Sequence, residues 1–391
     1  MILIFWICIF LIVYTFAGYG LLLYIVIRIK RLLVKSKPEI DNFAPPSLTI
    51  MVAAYNEEDI IREKINNTIQ LNYPAELLQL IFITDGSSDG TADIIKQYDR
   101  IELLHENVRS GKMAAIKRAI PFIKGDITVF TDANTFLNQT ALLELVKHYQ
   151  NPKVGAVAGE KRILVEESAD ASSAGEGFYW KYESKLKQWD YELYSNVGAA
   201  GELFSIRTAL YEPVESDTII DDHMIAMRIA EKGYIIAYEP AAYAMETASA
   251  NVSEELKRKI RIAAGGIQSI LRLKKSANPF HNPVFTFQYI SHRVLRWTIT
   301  PFLLILVFIL NGFLAFGDYG VFYKVLFIAQ ILFYLLSLIG LYFENRNLRI
   351  KILFIPYYFC VMNYAVLAGI IRFYKKNQSA AWEKSIRKTG I

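Results

Sequence analysis

Four long stretches without a charged residue limit what this chain can fold into. They are residues 1–27, 297–317, 325–343 and 352–371. A helix needs about 20 apolar residues to cross a bilayer, so we predict transmembrane helices at 1–27, 299–317, 325–343 and 352–371. A cleaved signal peptide is a poor alternative for the first stretch, because no basic residue precedes it and the apolar run is too long. The polar segment between the helices, 47–275, is long enough for one globular domain with its own core.

Basic residues beside these stretches predict the orientation of the chain. Arg28, Lys30, Arg31, Lys35 and Lys37 follow the first helix, in a linker at 28–46. By the positive-inside rule they place the globular domain in the cytoplasm, as part of an integral protein of the cell (inner) membrane. The basic tail at 372–391 breaks the pattern, because three crossings after a cytoplasmic domain would put it outside. Either one late stretch does not fully cross or the tail is an exception.

The segment at 280–298 mixes aromatic residues with His292, Arg293 and Arg296. We interpret it as an amphipathic helix lying in the membrane interface. Basic residues near the membrane segments explain the modest net charge of +5, so the charge does not indicate a nucleic-acid partner. The partner that the composition predicts is the lipid bilayer.

Within the globular segment, short apolar runs alternate with segments of helical spacing. The runs LTIMVAA, LQLIFITD, RIELLHE and DITVFTDA are typical of four strands. The alternation predicts an α/β domain with a mostly parallel, Rossmann-like sheet. Ligands of such sheets bind beyond the carboxyl ends of the strands. Because Asn56, Glu57, Asp85, Asp132 and Asn134 fall at those ends, we expect one nucleotide-sized site there.

Two of these strand ends allow more than one interpretation. In DGSSDGT, Asp89 can cap the next helix within a tight turn, or Asp85 can accept a hydrogen bond from a ligand. In TDAN, Asp132 and Asn134 face the same way, roughly 7 Å apart in an extended chain. That pair is either an exposed turn or a site for a hard divalent cation, which prefers such oxygens.

Two further motifs carry charges near predicted helix starts. Arg109 and Lys112 in VRSGK precede a helix N-terminus and suit a phosphate, although a solvated basic face explains such a pair equally well. Asp221 and Asp222 in IDDH begin an amphipathic helix, where a cap is the default expectation. Two adjacent carboxylates exceed what capping requires, so one of them could serve as a general base.

A later helix, beginning near Ser253, carries a basic stripe. The residues that share one face by their spacing are Arg258, Arg261, Gly265, Gln268 and Arg272. This face suits either a diphosphate or anionic lipid, which attracts each basic residue by about 1 kcal/mol.

Taken in order, VAAYNEE, TDGSSDGT, VRSGK, TDAN, GELFSIR, IDDH and RKIRI resemble the motifs of family-2 glycosyltransferases. The likeness is to the membrane-bound processive branch, which includes cellulose, hyaluronan and poly-N-acetylglucosamine synthases, and it extends from about Ser47 to the C-terminus. It implies a GT-A fold, hexosyl- or N-acetylhexosaminyltransferase activity, a cytoplasmic nucleotide-sugar donor, notably a UDP-sugar, and Mg²⁺ or Mn²⁺. It further implies a glycan or lipid-linked acceptor, as in exopolysaccharide synthesis, with an accessory export subunit as a possible partner.

The resemblance also implies roles for individual residues. Those near the base and ribose would be Ala53, Tyr55 and Glu57, with Asp85 accepting from the uracil ring. Those near the diphosphate would be Arg109, Lys112, Arg258 and Arg261. Asp132 and Asn134 would take the metal-binding D-x-D positions, and Asp222, beside Asp221, would be the catalytic base. Gly201 and Phe204 would shape the acceptor pocket.

The sequence departs from the family pattern at two motifs. Asn134 replaces an aspartate of D-x-D, which removes a negative charge and should weaken metal binding. The Q-x-x-R-W motif here ends in Ile262, so it lacks the tryptophan that helps to hold a growing polymer in processive members. A non-processive enzyme acting on a polyprenyl phosphate or lipid-linked oligosaccharide is therefore one alternative. A non-catalytic nucleotide-sugar-binding membrane subunit is the second.

Overall fold

The computed structural model describes residues 1–33, 44–164, 172–247, 252–346 and 350–375 of the 391-residue chain. The predicted linker at 28–46 and the basic tail at 372–391 lie partly outside these ranges. The chain starts with a continuous helix of 32 residues, made of α1 (Ile2–Val13), a π-helical turn (Tyr14–Gly18) and α2 (Tyr19–Leu33). The helix continues into the predicted linker, since lysine and arginine are good helix formers.

The globular domain is built on one sheet of eight strands. They are β1 (Leu48–Ala54), β2 (Leu78–Asp85), β3 (Glu102–Glu106), β4 (Ile127–Asp132), β5 (Phe136–Leu137), β6 (Val154–Leu164), β7 (Phe204–Arg207) and β8 (Ile235–Thr247), in the order β3-β2-β1-β4-β7-β6-β8-β5. β1 pairs in parallel with β2 and β4, and β2 with β3, which confirms the sheet predicted from the four apolar runs. β7 runs antiparallel to β4 and β6, and β5 to β8.

Helices cover both faces of this sheet. They are α3 (Glu58–Ile69), α4 (Thr91–Ile95), α5 (Lys112–Ala119), α6 (Ala141–Lys147), α7 (Ser172–Leu193), α8 (Asp221–Glu231) and α9 (Val252–Arg272). In β1, Ile50 and Val52 pack into a cluster with α3 and α6, whereas Met51 packs into a second cluster with α5 and α8. A strand buried on both faces must be apolar throughout. Polar side chains are therefore confined to its ends.

A helical region follows the sheet. It consists of α10 (Pro283–Tyr289), a π-helical turn (Ile290–Val294), α11 (Leu295–Trp297), α12 (Ile299–Phe316), α13 (Val321–Glu344) and α14 (Lys351–Tyr374). Within the described ranges, four helices are long and apolar enough to cross a membrane: the N-terminal helix and α12, α13 and α14. This confirms the prediction of one N-terminal and three C-terminal apolar helices. α1 packs on α12 through Phe5, Val307 and Leu314.

The segment before α12 forms one helix, 283–297, which continues through its π-helical turn. It falls within the helix predicted at 280–298, and the location of that helix in the membrane interface stays a prediction. His292 is buried in it, with Nδ1 2.5 Å from Asp190 Oδ2 and Nε2 3.1 Å from Glu183 Oε1. Arg293 and Arg296 also pair with Glu183. The polar side chains of this segment therefore face α7, where Glu183 and Asp190 are buried. The local sequence pattern does not show that these two carboxylates are buried.

Candidate active site

The polar strand ends meet at one edge of the sheet, as the sequence predicts. Ala53 of β1 pairs with Ile83 of β2 on one side and with Asp132 of β4 on the other. Asp85 is the last residue of β2 and Asp132 the last of β4. The two carboxylates therefore flank the carboxyl end of β1, as expected for neighbouring parallel strands.

Asp132 belongs to a cluster of three carboxylates around Lys112. The Nζ atom of Lys112 lies 2.9 Å from Asp132 Oδ1 and 3.5 Å from Asp221 Oδ2. Burial would lower the pKa of this ammonium, but Asp132, Asp221 and Asp222 outweigh burial and raise the pKa. Lys112 is therefore charged, and it offsets the mutual repulsion of the three carboxylates.

Gly201 lets two carboxylates of this cluster approach the same point. A Cβ atom at Gly201 would lie 3.3 Å from Asp132 Oδ2, 3.4 Å from Asp222 Oδ2 and 3.6 Å from Lys112 Nζ. The predicted metal ligand and the predicted base thus both border the space beside Gly201, where a larger side chain would crowd their oxygens. The structure brings these residues together although they are far apart in sequence.

The carboxyl group of Asp222 has an unusual environment at the start of α8. Burial raises the pKa of Asp222 to about 7, Asp221 adds to the rise, and Lys112 opposes it. Its Oδ1 accepts the backbone N–H of His223 at 2.7 Å, while Oδ2 borders the space beside Gly201. A carboxyl group that exchanges its proton near neutral pH is suited to general base catalysis.

The predicted nucleotide-binding residues form a second group, beside β1 and β2. The Arg109 guanidinium stacks 3.9 Å from the centroid of the Tyr55 ring. Oδ2 of Asp85 accepts the backbone N–H groups of Ser110 at 2.8 Å and Gly111 at 2.7 Å. Asp85 therefore holds the VRSGK loop in place, a function for which the sequence gives no signal. Its contact with a nucleotide base stays a prediction.

The DGSSDGT loop is fixed by hydrogen bonds to the loop after β1. Asp89 Oδ1 accepts the backbone N–H of Thr91, and its Oδ2 accepts that of Glu58, both at 3.1 Å. The backbone N–H of Glu57 donates to Thr91 Oγ1 at 2.8 Å. Asp89 thus stabilises the turn and the start of the following helix, as the first interpretation of this loop predicts. Glu57 and Ala53 are both buried behind this loop.

Contacts of α9 confirm that its predicted stripe shares one face. Gly265 packs on Ile219 and Ile220, just before α8, and Gln268 and Arg272 both donate to Asp217. Arg261 lies on this same face, one turn before Gly265. Its contact with a diphosphate stays a prediction.

Arg258, in contrast, is bound within a buried ionic network. Its guanidinium lies 3.3 Å from Glu202 Oε1 and 3.4 Å from Glu246 Oε1. Lys161 pairs with the same two carboxylates, at 2.5 Å from Glu202 and closer still to Glu246. Burial would raise the pKa of Glu202, but Lys161 and Arg258 hold it well below its usual range. The predicted contact of Arg258 with a diphosphate stays a prediction.

The two predicted acceptor residues differ in position. Gly201 lies beside Asp132 and Asp222, whereas Phe204 begins β7, is buried, and stacks on Phe130 with ring centroids 4.6 Å apart. Phe204 therefore supports the site from the core of the domain. Its part in an acceptor pocket stays a prediction.

Lys64 is a functional candidate that lies outside all of the sequence motifs. It is fully buried, and its Nζ lies 2.9 Å from Thr131 Oγ1 and 2.7 Å from the Thr135 carbonyl oxygen. Lys64 thus fixes the turn that carries Asp132 and Asn134. Burial lowers the pKa of Lys64 to about 7. The sequence does indicate that Lys64 is buried. It lies at helical spacing between Ile61 and Thr68, so it falls on the apolar face of α3.

Oxygen donors for a metal are present at the end of β4. Asp132 Oδ2 borders the space beside Gly201, and Asn134 lies half-buried in the following turn. No group of three or more His, Cys, Asp or Glu side chains in the described part of the chain is arranged to hold a metal alone. One carboxylate and one amide oxygen fit Mg²⁺ or Mn²⁺ when substrate phosphates and water supply the remaining ligands.

A mostly parallel sheet with acidic strand ends, joined to apolar helices, defines a membrane-associated glycosyltransferase fold of the GT-A type. Comparison with known proteins supports this class. Residues 49–212 match the sequence model of the family described as "Glycosyl transferase family 2". This part of the chain is a family-2 glycosyltransferase domain.

Individual relatives agree with the family. The chain is 27% identical over 249 residues to the poly-β-1,6-N-acetyl-D-glucosamine synthase of Staphylococcus aureus, covering 61% of this chain and 59% of that protein. It is 32% identical over 200 residues to the β-monoglucosyldiacylglycerol synthase of Trichormus variabilis, covering 47% of this chain and 41% of that protein. The matches thus span about half of each relative's length.

A solved structure shares the fold over nearly the whole chain. It is a mannosyltransferase from Pyrobaculum calidifontis, determined in complex with GDP-Man and Mn²⁺. The TM-score is 0.72 at 22% sequence identity, covering 96% of this chain and 100% of that one. The likeness therefore includes the apolar helices as well as the sheet.

Proposed function

We propose that this chain is an inverting, metal-dependent membrane glycosyltransferase with its catalytic domain in the cytoplasm. It would move a sugar from a nucleotide-sugar, notably a UDP-sugar, to a growing polysaccharide or lipid-linked glycan. The observation that carries the proposal is that Asp132 Oδ2 and Asp222 Oδ2 converge on the space beside Gly201. Sugar transfer needs a group that binds the donor diphosphate close to a base that activates the acceptor.

Asp222 acts as the base in this proposal. It takes the proton of an acceptor hydroxyl while that oxygen forms a bond to the anomeric carbon of the donor. The bond from the anomeric carbon to the diphosphate oxygen breaks on the opposite face, so the configuration inverts and a nucleoside diphosphate leaves. Because its pKa is raised to about 7, Asp222 is a better proton acceptor than a solvated carboxylate. General base catalysis contributes about 10²–10⁴-fold.

Positive groups near the carboxylates would balance the charge of the leaving diphosphate. Lys112 is already among them, at 2.9 Å from Asp132. Arg261 would be another, because it lies on the face of α9 that packs against the residues just before α8. Asp132 and Asn134 would hold Mg²⁺ or Mn²⁺, which neutralises phosphate charge when bound.

A non-processive reaction is the second candidate, on one specific observation. Ile262 stands where processive members carry the tryptophan that holds a polymer, so this chain lacks one means of retaining its product. Transfer of a single sugar to a polyprenyl phosphate or lipid-linked oligosaccharide would leave the same catalytic residues in use. The length of the product, measured by mass spectrometry, separates the two candidates.

Release of nucleoside diphosphate by the purified, detergent-solubilised protein tests the function. UDP-, GDP- and dTDP-sugars are offered in turn with Mg²⁺ or Mn²⁺, with membranes and lipid acceptors added. We expect release from one donor, dependent on metal, together with a product of inverted anomeric configuration. No release from any donor would favour a non-catalytic nucleotide-sugar-binding subunit or the need for an accessory partner.

The pH dependence of transfer is expected to follow the carboxyl group of Asp222. The base must be deprotonated, so the rate should fall about tenfold per pH unit below pH 7 and level off above it. Initial rates at saturating donor between pH 5 and 9 measure this dependence. Donor binding by Asp222→Asn, which does not titrate there, is the control and should not follow the same curve. A rate that stays constant down to about pH 5 would contradict the assignment.

A further inference from the structure

The sides of the membrane are defined by the hairpin of α12 and α13. Asn311 donates to Gln330 at 2.7 Å, and the Phe308 ring contacts Tyr334, so the two helices run antiparallel. α12 begins directly after Trp297, whose ring lies 5.6 Å from that of His223 in the catalytic domain. The start of α12 and the end of α13 are therefore both on the side of the catalytic domain.

The first turns of α14 lie on that same side. A Cβ atom at Gly340, near the end of α13, would be 2.6 Å from the carbonyl oxygen of Leu353 and 2.8 Å from Tyr357 Cβ. A few residues on, the Phe359 ring lies 5.1 Å from that of Phe16. Phe16 follows Thr15, whose hydroxyl bonds to Thr300 at the start of α12. The Phe359 ring also lies 5.9 Å from that of Phe333, about two turns before Gly340 on α13, so this part of α14 enters the bilayer only part of the way.

The last turns of α14 lie on the same side again. A Cβ atom at Gly369 would be 2.6 Å from Ala263 Cβ and 2.9 Å from the backbone of Ile260 and Ala264. These residues belong to α9, which pairs with Glu202 through Arg258 and packs on Trp297 through Gly266. Leu353 and Gly369 are separated by about 24 Å of helix, yet both ends are held at the level of the catalytic domain.

We propose that α14 does not cross the bilayer and instead lies along its surface, between lipid and α9, on the side of the catalytic domain. The chain then crosses three times, through the N-terminal helix, α12 and α13, and its C-terminus is on the side of the catalytic domain. This orientation agrees with the basic tail at 372–391, which a third C-terminal crossing would place on the wrong side of the membrane.

The surface of α14 suits a lipid partner in this position. The exposed side chains of its second half include Tyr364 and Ile371, whereas Ala365 and Gly369 are buried on the face toward α9. Arg372 and Lys375 follow at the end of the helix, where basic groups meet anionic headgroups. Lipid can therefore cover the outer face of α14 while its basic end meets the headgroups.

Labelling of single cysteines tests the number of crossings. Cys8 and Cys360, the two cysteines of the chain, are replaced by alanine, and a cysteine is introduced at Lys375, at Lys96 in the catalytic domain or at Asp318 between α12 and α13. A membrane-impermeant maleimide is applied before and after permeabilisation. We expect Lys375→Cys to react under the same condition as Lys96→Cys and opposite to Asp318→Cys. Labelling of Lys375→Cys together with Asp318→Cys would overturn the proposal.

The depth of α14 in the bilayer gives a second, independent measurement. Tyr364 lies near the middle of α14, so a spanning helix would place it near the bilayer centre. A spin label at Tyr364→Cys in reconstituted vesicles should instead show the shallow depth of the headgroup region, in contrast to Ile309→Cys in the middle of α12. Equal depths for the two labels would overturn the proposal. Neither experiment depends on enzyme activity, so both remain valid whatever the donor.

Discussion

Replacing Asp222 by asparagine is expected to reduce sugar transfer by about 10²–10⁴-fold, the contribution of general base catalysis. Asparagine keeps the size of the side chain and can keep the contact with the His223 backbone N–H, but it cannot take a proton. Donor binding should be retained, because Lys112 and Asp132 are unchanged. Turnover at saturating donor gives the rate of transfer. Calorimetric titration with the nucleoside diphosphate gives the affinity of the donor site.

Asp221→Asn is the matched control for that result. Asp221 is the adjacent carboxylate on the same helix turn, and its Oδ2 lies 3.5 Å from Lys112. Its atoms are not among the three nearest to a Cβ atom placed at Gly201. We expect a smaller loss of rate for this variant than for Asp222→Asn. The reverse order would identify Asp221 as the base, and weak donor binding by Asp222→Asn would indicate a role in the donor site instead.

Replacing Lys161 by methionine is expected to destabilise the domain by about 3–5 kcal/mol, the cost of leaving buried charges without their partner. Lys161 is 5% exposed and pairs with both Glu202 and Glu246. Without it, both buried carboxylates would lose one cationic partner. The midpoint of thermal unfolding of the purified protein should fall by several degrees.

The control for Lys161→Met is the same substitution at an exposed lysine, Lys96→Met, which should change the free energy of unfolding by less than about 0.5 kcal/mol. A second substitution, Glu246→Gln in the Lys161→Met background, removes one of the two carboxylates and should recover part of the loss. If Lys161→Met unfolds at the temperature of the wild type, the network does not stabilise the fold.

The parallel half of the sheet could be predicted closely from the sequence. The run LQLIFITD has the bounds of β2, and LTIMVAA those of β1. Both strands are buried on two faces, so their apolar runs are continuous and end where the chain leaves the core. For the same reason Asp85 and Asp132 could be placed at one edge of the sheet before any contact was known.

The antiparallel half and the ionic network could not be predicted in this way. β7 has only four residues and inserts between β4 and β6, a pairing determined by long-range contacts. Glu202, Lys161 and Glu246 come from three separate elements, and each alone resembles an ordinary surface charge. Burial of such charges depends on partners that are distant in sequence, which local patterns do not contain.

The N-terminal helix has a consequence for which acceptors can be used. Its 32 residues extend about 48 Å, against about 30 Å for the hydrocarbon core. In its second half Tyr19 and Leu23 pack against Leu186 of α7, and Lys30 donates to the carbonyl oxygens at the end of α7. These contacts hold the domain against the helix, so in the proposed enzyme Asp132 and Asp222 would keep one height above the bilayer. Acceptors would then be selected by the reach of their own head groups.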